Sequence, residues 1–132
     1  MPGRDTAPNN GRELENQVAE LAEKLQLRVR HQVAVARRIW GARRLIDLVL
    51  TEPVTRKTLG IECKFQATAG TAEEKLPATV QDIAAWPIPG LVVFSGEGFT
   101  ENMRAFLHST GKAVELEDLE PWLRLFFGLD EA

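Results

Sequence analysis

Ile61-Glu62-Cys63-Lys64-Phe65-Gln66 alternates apolar and polar residues with period two, the pattern of a half-buried strand. Strand side chains point alternately to two faces, so Ile61, Cys63 and Phe65 share one face and Glu62, Lys64 and Gln66 the other. An acid, an amine and an amide therefore stand in a row on a strand with an apolar back. A carboxylate and a lysine two residues apart can share one small site, the first holding a cation and the second placing a nucleophile or offsetting charge. A solvated strand face with ordinary cross-strand ion pairs has the same pattern. The residues upstream decide between the two.

The preceding strand, predicted over 43–51, reads Arg-Arg-Leu-Ile-Asp-Leu-Val-Leu-Thr. Strict alternation places Ile46, Leu48 and Leu50 on one face and Leu45, Asp47 and Val49 on the other. Asp47 is the anomaly, because aspartate is depleted in strand interiors and a charge in apolar company needs a partner, a metal or a function. The short connection 52–57, with Pro53, makes these two strands an antiparallel pair and can bring Asp47 beside Glu62.

Working outward, Asn10 to Leu25 is predicted as a helix. Asn10 is its cap, Glu13 gives a capping-box-like start, and Leu14, Val18, Leu21 and Leu25 form the buried stripe. Glu15 lies at the edge of that stripe. Residues 27–36 alternate as a first strand, and 37–42 make a turn. The segment 66–76 reads as a loop; Pro77 argues against a helix running from Thr71-x-x-Glu74, so the helix is expected to start at Pro77 and end near Trp86. Thr68, Gly70 and Thr71 suit a loop that orders on substrate. Leu91 to Ser95 is continuously apolar, as befits a strand buried on both faces. Thr100 to Thr110 is predicted as a helix with Met103, Phe106 and Leu107 inward. A short strand at 112–116 and a last, very apolar helix at 117–127 close the chain. That helix has more apolar surface than one face needs, so a homodimer is expected through it.

The length of 132 residues suits one domain, with residues 1–9 a flexible lead-in and 10–132 the folded unit. No signal-peptide or membrane-spanning pattern appears, and one cysteine excludes an intrachain disulfide. A cytoplasmic location is the expectation. Net charge is −3, but its distribution is uneven. Residues 1–66 carry 12 Lys and Arg against 8 Asp and Glu, whereas 67–132 carry 4 against 11. The basic excess includes Arg37, Arg38, Arg43 and Arg44, around the candidate site, and points to a polyanionic partner; Lys75 could add a phosphate contact or pair with its acidic neighbours. Cys63 reads as a small buried apolar residue, His31 and His108 lack a ligand pattern, and the tryptophans suit core or interface.

Helix, three strands, helix, strand, with Glu15, Asp47, Glu62 and Lys64 so placed, resembles the PD-(D/E)xK nuclease superfamily over roughly residues 10–95. Asp47 matches the aspartate of the motif, Glu62 and Lys64 its (D/E)xK half, Glu15 the glutamate often found on the first helix, and Gln66 a polar position used near the scissile phosphate. The proline that names the motif is absent; Ile46 stands before Asp47. The resemblance implies an α/β fold, a restriction-endonuclease-like αβββαβ core with a mixed central sheet flanked by helices, here followed by a C-terminal helix-strand-helix extension. It implies a Mg2+-dependent endonuclease acting on DNA, with Mn2+ able to substitute. Asp47, Glu62 and the carbonyl of Cys63 would hold the metal, Glu15 would assist, and Lys64 would orient the attacking water. A catalytically silent nucleic-acid-binding or assembly subunit on the same fold is the alternative. A small interaction domain with a surface Glu-x-Lys is another, opposed by Asp47.

Overall fold

Five strands lie side by side in sequence order, β1-β2-β3-β4-β5, and the division of their side chains between two faces creates the layers. The computed structural model describes residues 7–37, 43–68 and 72–130, with backbone alone at 36–37, 43–44 and 72–75. Helix α1 (Gly11–Lys24) leads into β1 (Arg28–Arg37), β2 (Arg43–Thr51) and β3 (Thr58–Phe65). Then come α2 (Ala72–Ala84), β4 (Gly90–Ser95), α3 (Glu101–Ser109), β5 (Ala113–Glu115), a 3-10 turn (Leu116–Asp118) and α4 (Leu119–Phe127). The first three strands pair antiparallel, while β3–β4 and β4–β5 are parallel and joined through helices. The result is the expected mixed sheet flanked by helices. No helix among the described residues is long and apolar enough to cross a membrane.

Helix α1 forms where its sequence says it should. The Asn10 side chain accepts from the Glu13 amide at 2.8 Å, and Glu13 reaches back to the Asn9 amide, also at 2.8 Å. These bonds satisfy backbone donors that a helix start leaves open. Leu14, Val18 and Ala22, four residues apart, are fully buried. With α4 they cover one face of the sheet, packing on Leu48, Leu50, Leu59, Ile61, Leu91 and Val93. The opposite face takes α2 and α3 over Ile46, Val49, Val92 and Phe94. β4 feeds both clusters with alternate residues, which is why its sequence shows no polar face.

The alternation expected for β2 holds for Leu48 and Leu50 but fails at Ile46, which packs with Val49 on the opposite face. β1 switches in the same way: Val29 packs on the α1 side, Val33 and Val35 on the α2 side. Between the switch points lie Asp47 and Gln32. The ladder pairs His31 with Leu48 and Val33 with Ile46 but omits the intervening pair, and Gln32 has φ +50°. A left-handed residue in an L-chain costs about 1–2 kcal/mol. Here it flips the strand over, so the two residues facing each other at the flip escape both apolar layers.

Three further expectations change. Helix α2 starts at Ala72, not Pro77, and encloses the proline. Proline inside a helix removes one hydrogen bond and costs on the order of 3 kcal/mol. The buried Leu76 and Ile83, one on each side of Pro77, seat this helix on the sheet and outweigh that local cost. Phe106 is 39% exposed, because Met103 and Leu107 already fill the inward face of α3. The last helix begins at Leu119 after a 3-10 turn, and Gly128, with φ +66°, ends it. The turn at 37–42 and Thr71 fall largely outside the described residues, and the expected ordering of Thr68, Gly70 and Thr71 rests in part on residues there.

The end of β3 is held by a glycine loop. Gly98 donates to the Gln66 carbonyl at 2.8 Å. Gly96 has φ +115°, and a Cβ there would meet the Gln66 carbonyl oxygen at 2.2 Å. Gly96→Ala therefore faces both backbone strain and a clash with rigid main chain. It is expected to destabilise the fold by about 2 kcal/mol or more, read as a lower midpoint in urea denaturation.

Candidate active site

The β2–β3 ladder runs from Thr51↔Thr58 to Leu48↔Ile61 and stops there. The next position would pair Asp47 with Glu62. Instead the Asp47 carboxylate takes over from the backbone, and Oδ2 accepts the Cys63 amide at 2.9 Å. A charge-assisted bond of this kind is stronger than a neutral one. It fixes Asp47 against the Glu62-Cys63-Lys64 strand, as the sequence reading anticipated.

On β3 the predicted faces hold. Ile61 and Cys63 are buried, and Phe65 packs against the same cluster. Lys64 Nζ stands 3.4 Å from Glu62 Oε2. Burial first, and then the charge of Asp47, push the Glu62 carboxyl up from 4.5 to about 7, with Lys64 opposing the shift and Asp82 of α2 adding to it. Burial also raises the Cys63 thiol well above its ordinary value, with Asp47 adding to the shift, which removes Cys63 as a nucleophile.

Glu15 reaches the same neighbourhood from α1. Burial and then Asp47 hold its carboxyl above the ordinary range, while Gln32, His31 and Arg12 pull it down. Gln32 was not anticipated. Its amide Nε2 lies 3.4 Å from both Glu15 Oε1 and Asp47 Oδ1. Nothing in the sequence marks it except its antiparallel position opposite Asp47. Asp82 was missed too, since a single acid on an amphipathic helix carries no signal.

Gln66 is drawn elsewhere. It is 9% exposed and donates its side-chain amide to the Gly98 carbonyl at 2.7 Å. Arg38 and the side chains of Arg37, Arg43, Arg44 and Lys75 lie outside the described residues. A crevice of about 390 Å³ opens at the carboxyl ends of β3 and β4, lined by Phe65, Ser95, Glu97, Arg104 and Glu115 among others. None of the four motif side chains lines it, and Arg104 is already bonded to Glu115 and to the Gly96 and Phe99 carbonyls.

The donors fit a hard divalent cation. Asp47 and Glu62 offer carboxylate oxygens, Asp47 raises the cost of charge on Glu62, and among the described residues Lys64 offsets it. Among the described residues no group of three or more His, Cys, Asp or Glu could by itself hold an ion. The acids that stand together here are Asp47 and Glu62, with Glu15 linked to Asp47 through Gln32.

Over residues 6–126 the chain matches the model of the PD-(D/E)XK nuclease superfamily domain. It belongs to that superfamily. The match runs past residue 95 through β5 and most of α4, so the C-terminal elements are part of the superfamily domain. Membership implies nuclease-type function on nucleic acid, and members generally use divalent metals. Among solved structures the chain is similar to the crystal structure of AF1548, a protein of unknown function, with a TM-score of 0.53 and 19% identity. The similarity covers 76% of this chain and 55% of that one, so the chain spans about half the length of that relative. Comparison with curated proteins gives no match.

The raised Glu62 carboxyl has a measurable consequence. The native state holds this proton more tightly than the unfolded chain. Its stabilising share is complete below pH 4.5 and is lost as pH rises through about 7. Without metal, Glu62→Gln is expected to be the more stable protein above pH 7, by on the order of 2 kcal/mol. The gap should vanish below pH 4.5. Thermal melts across that range check it.

Proposed function

We propose that the protein is a metal-dependent DNA endonuclease, its catalytic domain formed by residues 10–132. The bond from the Cys63 amide to Asp47 carries this reading, because it joins the aspartate strand to the Glu62 and Lys64 strand at the point where their ladder opens. Asp47, Glu62 and the Cys63 carbonyl would hold Mg2+, with Mn2+ able to substitute. When bound there, the ion supplies Lewis-acid stabilisation of the charge developing on phosphorus.

Lys64 orients the attacking water and offsets charge on the phosphate. Glu62 stays a carboxylate in this scheme, since it would hold the ion, and the proton of the attacking water leaves to solvent. The water oxygen bonds to phosphorus as the P–O3′ bond breaks, leaving a 5′-phosphate and a 3′-hydroxyl. Glu15 assists from α1. Gln66 braces the strand end behind Lys64 through Gly98 and makes no phosphate contact in this scheme. Arg37, Arg38, Arg43, Arg44 and Lys75 would bind backbone phosphates without reading sequence. The reduced single thiol suits a cytoplasmic enzyme.

Cleavage of labelled four-way junction, flap, duplex and single-stranded DNA tests the proposal, in Mg2+, in Mn2+ and in chelator. Metal-dependent cutting is expected. Lys64→Ala and Asp47→Ala should each lower kcat by about 100-fold or more while leaving DNA binding in place. Binding without cutting in the wild type would select the silent subunit instead.

Two copies are proposed to associate through α4, where Leu125 is 86% exposed beside the stacked Trp122 and Phe126 rings. Sedimentation should show a dimer that Leu125→Lys converts to monomer. A monomeric wild type would remove this part of the proposal.

A further inference from the structure

We infer that Gln32 is a positioning residue of the nuclease site, holding Asp47 and Glu15 in one arrangement by bridging their carboxylates with a single side-chain amide. This rests on the nuclease reading of Asp47, Glu62 and Lys64 given above.

Observations of its side chain and of its backbone converge on Gln32. Its Nε2 is 3.4 Å from Glu15 Oε1 and 3.4 Å from Asp47 Oδ1. An amide nitrogen has two hydrogens, so one side chain can serve both acids. Its backbone takes φ +50° in mid-strand, a conformation that persists only where the surroundings impose it and that concentrates at functional sites. And the β1–β2 ladder skips the position opposite Asp47, while both strands exchange faces across that step. The flip frees Gln32 and Asp47 from the apolar layers and lets them meet Glu15.

Asp47 is then fixed at both oxygens, Oδ2 by the Cys63 amide and Oδ1 by Gln32. Neither donor carries a charge, so the carboxylate keeps its net negative charge for a cation. A carboxylate oriented by its neighbours binds metal better than one free to rotate, and outer partners of this kind typically contribute 10–100-fold. Gln32 also supplies what sequence alone could not, a physical link between the helix glutamate and the strand aspartate.

Gln32→Gly and Gln32→Ala separate the amide from the backbone. Glycine accepts φ +50° without strain, so Gln32→Gly should melt at or above the wild-type temperature. If Gln32 positions the site, Mn2+ affinity measured calorimetrically falls about 10-fold in both variants. The kcat for DNA cleavage falls by a similar factor, with KM little changed. A Gln32→Gly protein that melts normally and keeps wild-type Mn2+ affinity and kcat overturns the inference, even if Asp47→Ala is inactive. A wild type that binds no Mn2+ and cuts no DNA fails at an earlier step and overturns the nuclease reading itself. Loss of melting temperature with unchanged metal affinity would make Gln32 structural only, and also overturns it.

Discussion

One hydrogen bond ties the two halves of this sheet together where the ladder gives out, from the Cys63 amide to Asp47 Oδ2. On one side of it lies an antiparallel hairpin, β1 and β2; on the other lies a parallel block, β3 to β5. A backbone carbonyl in that position would continue the sheet and bury its polar atoms in more sheet. A carboxylate closes the ladder and turns its second oxygen to Gln32. The site exists because β2 ends its pairing with a side chain.

The same junction determines the electrostatics. Glu62 is one step beyond the last ladder pair and is largely desolvated. Its neighbour Asp47 makes ionisation costlier, and Lys64 relieves only part of that cost. Two neighbouring carboxyls with only part of their charge offset weaken the metal-free fold, and the same crowding of negative charge is what a cation would relieve. Stability and readiness for a divalent ion are therefore opposed in the same few residues.

Much of this could be read from the sequence because most of the signals were local. Asn10 and Glu13 marked the start of α1, Leu14 and Val18 its buried stripe, and the unbroken apolar run at 91–94 a strand covered on both sides. Asp47 stood out as a charge in an apolar strand. The failures were of another kind. Pro77 is a local signal that tertiary packing of Leu76 and Ile83 overrides. The face switch at Gln32 and Asp47 is invisible to a period-two reading, which assumes that a strand never turns over, and so Gln32 could not be found. Gly96 and Gly98 carried no signal in the sequence, because their role at the end of β3 depends on Gln66, some 30 positions away.

Cys63 lies between Glu62 and Lys64, and it is the one thiol in the chain. Buried, uncrosslinked and holding its proton tightly, it is unreactive while β3 stays in place. At 9% exposure it offers a thiol reagent little access until the strand opens. The protein thus carries a built-in clock for the opening of its own motif strand. The labelling rate of Cys63 reports how often that strand is exposed, without any engineered probe.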